Sequence, residues 1–544
     1  MNWHGEQFPE CVTKYITEVI RKIGYRRKVR REVRQELMDH FADGLAECKS
    51  DDERQQQAET LIAKFGEAQV LAKLIRRGKK RCRPWWQKAW SRTIQVILGI
   101  YVLCLFYNAW IIHSWHSSDT DYLKQLNQLY QTTTTSRENA LPYYEKASEL
   151  YQEAYAKTGY VEGYIFPEGD EKAKPLVFKN LTRKQKQALK DWVAEYETAW
   201  EMAVKGTQLN HYWQEITPKP SILPENIYSV NRIETSDELP FDLGQITNLS
   251  SLRSLAKVVK WRALLYADEN KMEDAGIEAL RIIKMGRHLM AGKLLAEYLM
   301  GVAIVSFGDQ LILEILRDFE PDEEFLSAIQ PALDQTFADD FPFFDFRGEA
   351  LIYLASQKST WDQMHGNIKG WLVPISPFFI GSLPQTENYT YNFYADFDQR
   401  NPYQKQAHPI QIDLPKFPVQ HYLLLRLLDP ALNRSMELSY RVKVTHEAIL
   451  TVIAIKRWNQ EKGYYPDQLQ DLINSQYLKQ LPKDPYSDGA LRYERRDNNF
   501  ILYSVGADFE DDGGTEDPEH IWGDRGMHEE NDGDHVFWPV EDGR

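Results

Sequence analysis

Residues Thr93 to Ile112 read TIQVILGIYVLCLFYNAWII, twenty positions without a charge, of which only Thr93, Gln95 and Asn108 are clearly polar. At about 1.5 Å per residue, a helix of that length spans about 30 Å, the thickness of a bilayer's hydrocarbon core. Uncharged runs this long are uncommon in globular cores, so the segment reads as a transmembrane helix. The flanks orient it. Arg76, Arg77, Lys79, Lys80, Arg81, Arg83, Lys88 and Arg92 precede it, whereas the twenty residues after it hold only Lys124 as a cation. The positive-inside bias therefore predicts a cytoplasmic N-terminal part and an external remainder in a bacterial cell membrane. Trp85, Trp86 and Trp90 on one side, with Trp110 and Trp115 on the other, suit the two interfacial belts. No cleavable signal is visible at Met1, so the internal span is expected to serve as both export signal and anchor. Four regions follow: a cytoplasmic helical part over 1–90, the span over 91–115, an external helical region over 116–440 and a C-terminal α+β module over 441–544.

Composition supports this division. The chain has 544 residues, 43% of them apolar and 12% aromatic, which excludes a mainly disordered chain, a collagen-like repeat and a disulfide miniprotein. Its net charge of −15 argues against a nucleic-acid binder and is unevenly distributed. Residues 1–92 carry 21 basic and 13 acidic side chains, a net +8, and the rest carry −23. All four cysteines, Cys11, Cys48, Cys82 and Cys104, precede the end of the span. The external part is thus expected to have neither disulfides nor a Cys-ligated zinc site, as suits a bacterial envelope.

Before the span, apolar side chains recur at Val12, Tyr15, Ile16, Val19, Ile20 and Ile23, then at Val29, Val33, Leu37, Phe41 and Leu45. This spacing predicts amphipathic helices over 11–24 and about 28–47. A third helix is predicted from Asp52, capped by Asp51 or Asp52 and stopped at Gly66, and a fourth holds Val70, Leu71, Leu74 and Ile75. With ELMDHFADGL in the second helix and AETLIAKFGEAQVLAKLI across the third and fourth, this order resembles the HAAS-type small helical domain, also seen as a permease prefix. The resemblance covers about 75 residues and implies a cytoplasmic signalling or partner-binding module. The basic run YRRKVRREV departs from the commoner pattern and leaves open docking on a protein or on anionic lipid. His40, between Asp39 and Asp43, lacks a second His or Cys nearby and reads as a packing position rather than a metal ligand.

Beyond the span, helical stripes alternate with Pro-rich loops to about residue 439. Helices are predicted over 139–155 and 182–205, then in a denser trio over 249–268, 272–290 and 294–319, the first two of tetratricopeptide size without a clear repeat. Ser254 and Lys257 make an S-x-x-K match, but S-D-N and K-T-G elements are absent. The pairs Asp339 with Asp340 and Asp396 with Asp398 lie in aromatic runs that could stack on sugar rings and imitate a glycosidase's carboxylates, but turn residues capping helices around an aromatic core are the better reading. No G-x-S-x-G, H-E-x-x-H, P-loop or G-x-G-x-x-G is present. His113 and His116 read as polarity at the membrane boundary.

After a helix predicted over 441–462 comes YYPDQLQDLINSQYLKQLPKDPYSDGALRYERRDNNFILYSVGADFEDDGG. It contains a short helix through Leu469 and Leu472, a DP turn at Pro482 to Pro485, and two alternating strands over 491–495 and 500–505. Tyr465, Pro466, Leu469, Leu472, Leu481, Pro482, Asp484, Pro485, Tyr493, Ser504, Gly506, Ala507 and Asp508 together resemble the globular head of the type II secretion major pseudopilin. That resemblance implies an antiparallel β head holding one calcium ion, with Asp508 matching the first loop aspartate and Asp534 the one before the closing aromatics. Calcium takes six to eight oxygens and suits such a loop. Between the two lie Asp511, Asp512, Glu516, Asp517 and Asp524, so the remaining ligands stay unassigned. A solvated acidic tail explains the same run without metal, since residues 508–544 carry 14 acidic and 2 basic side chains.

In pseudopilins the apolar helix is N-terminal and continues into the head. Here the span lies over 300 residues upstream, so pilus assembly is not expected. The overall order resembles uncharacterised envelope proteins of planctomycete-type bacteria. The expected function is a single-pass envelope protein acting as an interaction or signalling scaffold, with the membrane and unidentified proteins on each side as partners. The alternative is an envelope hydrolase acting on glycans or peptides in the helical region.

Overall fold

The computed structural model describes residues 8–24, 27–81, 85–114, 120–130, 138–165, 176–218, 241–242, 249–337, 341–366, 383–395, 397–409, 423–496, 498–516 and 533–540. The protein is mainly helical, with a small three-stranded antiparallel sheet near the C-terminus, and divides into two compact units, Met1–Phe106 and Tyr107–Arg544.

The first unit contains α1 (Glu10–Ile23), α2 (Arg27–Leu45), α3 (Asp51–Phe65) and α4 (Ala68–Arg81). The i, i+3, i+4 spacing puts Val12, Ile16, Val19, Val33, Leu37 and Phe41 on inward faces, where all are buried. Tyr15 packs edge-on against Phe41 and donates its hydroxyl to the Gly66 carbonyl at 2.8 Å, tying α1 to the end of α3. Gly66 sits at φ 75°, and its N–H bonds the Ile62 carbonyl. The cap of α3 is Ser50, not Asp51 or Asp52: its hydroxyl accepts the Glu53 N–H at 3.3 Å. The two aspartates fall inside the first turn, where their charge favours the positive end of the helix dipole. His40, exposed on α2, meets the Phe65 ring edge-on at 5.2 Å.

Helix α5 (Trp85–Ser114) is unbroken for 30 residues, about 45 Å. Its described apolar side chains point outward at successive positions, among them Ile97 at 60%, Leu103 at 69% and Phe106 at 70% exposure. Among its described side chains, Arg92 to Leu103 and Phe106 are exposed, and Cys104 and Leu105 are half-buried.

The second unit opens with α6 (Tyr122–Tyr130), α7 (Leu141–Thr158), α8 (Val161–Ile165), α9 (Arg183–Ala194) and α10 (Glu197–Thr207). The sequence predicts a single helix over 182–205, yet the chain turns at Tyr196. That ring lies 4.9 Å from Trp192 and 5.3 Å from Tyr151, and its hydroxyl bonds Thr158, so burying it breaks the helix in two. After the two-residue ribbon β1 (Thr217–Pro218) and β2 (Phe241–Asp242) comes the predicted trio, α11 (Leu249–Asp268), α12 (Met272–Met290) and α13 (Leu295–Asp318). Helices α12 and α13 approach until their backbones nearly touch. A Cβ on Gly301 would lie 2.5 Å from the Gly286 carbonyl oxygen and 2.6 Å from the Met290 nitrogen. By length and composition α13 is apolar enough to cross a membrane, but two-thirds of its apolar window is buried against protein. It is the central helix of the core.

Helices α14 (Glu323–Thr336), α15 (Arg347–Gly366), α16 (Leu383–Ala395) and α17 (Pro402–Ala407) lead to α18 (Leu423–Lys462). The latter starts at Leu423 rather than at Arg441 and runs 40 residues, packing on α13 and α14. The short α19 (Leu469–Asn474) precedes the sheet of β3 (Arg492–Arg496), β4 (Asn499–Ser504) and β5 (His535–Trp538), in the order β3-β4-β5. Along β4, Phe500 and Leu502 join the main core shared with α18, while Ile501 and Tyr503 pack with Val536 on the other face.

Candidate functional site

The C-terminal motif residues converge on Asp484. Its buried carboxylate accepts the Tyr486 N–H at 3.0 Å, the Ser504 hydroxyl at 2.7 Å and the Val505 N–H at 3.1 Å. Its own N–H reaches the Gly489 carbonyl, and Leu491 N–H the Pro482 carbonyl, so the DP turn is fastened to the end of β4. Tyr493 donates to the Pro466 carbonyl at 2.7 Å, and Tyr465 packs on Phe500. Beneath the turn, buried Arg441 donates to Tyr486 Oη at 2.8 Å and pairs with Glu437, which also accepts the Tyr486 hydroxyl.

Asp508, in the turn after β4, and Asp534, just before β5, meet where the two loops cross. Asp508 accepts the Glu510 N–H at 3.1 Å and the Gly533 N–H at 2.8 Å, which places it beside the residue preceding Asp534. Gly506, at φ 76°, allows this approach, because a Cβ there would collide with the Gly533 carbonyl. Asp534 accepts the Gly514 N–H through Oδ2 at 2.6 Å, and its Oδ1 is buried without a partner in hydrogen-bond geometry. Burial pushes the Asp534 carboxyl up to about 6, against the Gly514 amide that favours its ionised form. Asp511 is differently placed: Tyr503, Gly513 and Arg492 all donate to it, outweigh desolvation and hold it below its ordinary value. Glu516 accepts the Val536 N–H at 2.8 Å, and Asp517 and Asp524 lie outside the described residues.

Two cavities lined by described residues are of ligand size. One, of about 420 Å³, is lined by Asp334, Lys443, His446, Glu447, Thr451 and Lys479 among others. At its floor His446 bonds Asp309 through Nδ1 at 3.0 Å and the Leu333 carbonyl through Nε2 at 3.2 Å. Both ring nitrogens are thus occupied. Desolvation would depress this imidazole, but Asp309 and the two hydrogen bonds raise it, so it serves as a buried ion-pair partner rather than a free base. The other cavity, about 370 Å³, is walled by Tyr151, Tyr155, Tyr160, Trp192, Trp261 and Phe307, with Ser254, Lys257, Lys260 and Gln310 between them.

That second cleft receives the S-x-x-K pair but uses it differently from a serine nucleophile. Ser254 bonds the Tyr151 hydroxyl, and the Lys257 ammonium lies 5.3 Å from the Phe307 ring centre. Asp398 is clamped by Arg400 at 2.8 and 2.9 Å, which together with the Arg400 N–H holds its carboxyl low. Asp339, Asp340, Asp396 and His116 lie outside the described residues, as does the side chain of His113. The cleft itself was not legible as a site, because its wall comes from α7, the turn before α8, α9, α11 and α13. Compared with family models, curated proteins and solved structures, the chain matches none.

Proposed function

We propose that this is a single-pass envelope membrane protein in which a cytoplasmic helical module is joined by α5 to an external helical platform ending in a pseudopilin-like head. The observation that carries the reading is the outward-facing apolar surface of α5. Exposed Leu, Ile, Val and Phe side chains in unbroken succession are costly in water, at about 25 cal/mol per Å², and favourable in lipid. The basic residues on its N-terminal side support the orientation. Scaffolding rather than hydrolysis is the reading proposed: the aromatic cleft has no carboxylate among its described lining residues, and in the cavity lined by Asp334 and Glu447 both ring nitrogens of His446 are engaged.

The cysteine distribution supplies the test. Cys11 and Cys48 report the N-terminal side, and the chain beyond Cys104 has none. A Tyr160→Cys variant adds one reporter at an exposed position. In intact spheroplasts a membrane-impermeant maleimide should modify the new cysteine and spare Cys11 and Cys48. Labelling of Cys48 alone inverts the topology, and extraction of the chain by alkaline carbonate removes the membrane assignment.

The head is proposed to take calcium, with Asp534 Oδ1 and Asp508 among the ligands. A carboxylate oxygen buried without a partner in hydrogen-bond geometry, with Asp508 and Asp511 in the same loop system, fits a hard cation that needs several oxygens. At about twentyfold excess over Kd, binding raises stability by about 2 kcal/mol. The whole chain in detergent should therefore melt a few degrees higher in millimolar calcium than in chelator. The isolated 441–544 segment is a poor substitute, since the sheet shares its core with a helix that begins at Leu423. Identical melting in both conditions, or a shift retained by Asp534→Asn, removes calcium from the proposal.

A further inference from the structure

We propose that the aromatic cleft between α7, α9, α11 and α13 binds an acidic saccharide, one or two pyranose rings carrying a carboxylate. At about 370 Å³ it falls at the small end of ligand cavities, roughly 300–1,000 Å³. Its walls are ring faces: Tyr151 and Tyr155 are parallel at 6.0 Å, Tyr160 meets Tyr155 edge-on at 5.2 Å, and Trp192 and Trp261 flank them. Between the rings stand hydroxyl, amide and amine groups rather than a continuous aliphatic lining. A flat sugar presents C–H groups to a ring face and hydroxyls at its edge, so it matches both parts of this surface.

The charge of the ligand follows from the cations. Lys260 is already neutralised by Glu314 at 2.5 Å. Arg253 and Lys257, four residues apart on α11, form no ion pair with a described carboxylate; they lie 5.8 and 5.3 Å from the Phe307 ring. Lys257 at the cleft, with Arg253 one turn away on α11 and outside the lining, offers a charged donor to a carboxylate in a region of strongly negative net charge.

The cleft is also held in shape before any ligand arrives. Gly159, at φ 67°, ends α7 with its N–H on the Tyr155 carbonyl at 2.8 Å, while Trp192 Nε1 donates to the Gly159 carbonyl at 3.3 Å. This fixes the turn from which Tyr160 projects, 74% exposed. An aromatic side chain left that open beside a pre-shaped cleft forms a platform whose ordering cost is already met. The inference goes beyond the membrane proposal and does not depend on which side of the bilayer the cleft faces.

The test is titration of the purified full chain in detergent with trigalacturonate, followed by tryptophan fluorescence and calorimetry, with maltotriose and AMP as parallel probes. Trigalacturonate should bind in the ten to several hundred micromolar range and weaken as salt rises, with maltotriose at least about tenfold weaker. Lys257→Ala should weaken trigalacturonate about tenfold, and Tyr160→Ala several-fold, both with unchanged melting temperature because the two side chains are exposed. The proposal is overturned if 1 mM trigalacturonate fails to bind, if maltotriose binds equally well, if AMP binds more tightly, or if Lys257→Ala is silent.

Discussion

Replacing Asp484 with alanine tests the reasoning that the C-terminal motif is a hydrogen-bonded hub. The carboxylate is 1% exposed and accepts three bonds, from Tyr486 N–H and the Ser504 hydroxyl through Oδ1 and from Val505 N–H through Oδ2. Truncation leaves three donors facing an apolar interior, each costing about 1–3 kcal/mol before relaxation. Allowing for water entry and the cost of burying the original charge, Asp484→Ala should lose about 3–5 kcal/mol. Asp484→Asn keeps one acceptor oxygen. Its best placement retains the two Oδ1 bonds and opposes an amide donor to Val505 N–H, so it should lose about 1–3 kcal/mol. Denaturant unfolding of the detergent-solubilised chain gives the totals, and hydrogen exchange at the Val505 and Tyr486 amides gives the local effect. Because Phe500 and Leu502 share one core with α18, slow exchange in the upper half of that helix should be lost together with the sheet. A loss below about 1 kcal/mol for the alanine variant, or equal losses for Ala and Asn, would refute the account.

Gly301→Ala should destabilise by about 2 kcal/mol or more, because its Cβ meets backbone atoms of Gly286 and Met290, outweighing a helix-propensity gain of about 1 kcal/mol. Gly78→Ala in α4, with nothing within 4 Å, should instead be neutral or stabilising, and thermal melts of the two separate packing from propensity. His288 accepts the Tyr144 hydroxyl at 2.7 Å, and burial pushes its imidazole down to about 3. The unfolded chain takes up that proton below about pH 6.5 while the folded chain does not, so stability is full above 6.5 and falls toward pH 3. The loss from this residue reaches about 2 kcal/mol at pH 5, and a pH series of melts for His288→Gln should lack that increment. Ser50→Ala removes the acceptor for Glu53 N–H and should cost about 1 kcal/mol, read from helicity loss in the N-terminal unit on heating.

What the sequence revealed and what it hid follow from the range of the interactions involved. The α1 and α2 stripes and the α11 to α13 trio are local periodicities, and they appear in the structure within one or two residues. The break at Tyr196 is not local: Trp192, Tyr151 and Thr158 gather from two helices around one ring, and nothing in the spacing of 182–205 announces it. Helix α18 begins at Leu423 rather than Arg441, and Leu432 and Met436, ahead of the predicted start, are buried in the main core, a long-range packing that the local stripe does not announce. The third strand pairs His535 with Ser504 across some thirty residues of acidic chain, a distance over which alternation carries no pairing information. The hub was visible only as a list of motif letters. Asp484 acquires a role once its three donors are placed around it.

Apolar length alone does not distinguish α13 from α5. Both α13 and the stretch containing Thr93 to Ile112 satisfy a hydropathy argument, and the difference between them lies in how their polar side chains are answered. In α13, Glu297 is met by the Tyr130 and Tyr212 hydroxyls, Asp309 by His446 and Glu314 by Lys260, each from another element of the same unit. A helix that carries three acids through an apolar interior requires fixed donors at those three heights, and a lipid bilayer offers none. The glycines at the crossing add a second constraint, since Gly301 of α13 and Gly286 of α12 allow a close backbone approach between the two helices. In α5 the stretch from Thr93 to Phe106 contains no acid and turns its large apolar side chains outward. The interruptions at 297, 309 and 314, rather than mean hydropathy, are the feature that separates the core helix α13 from the proposed span α5.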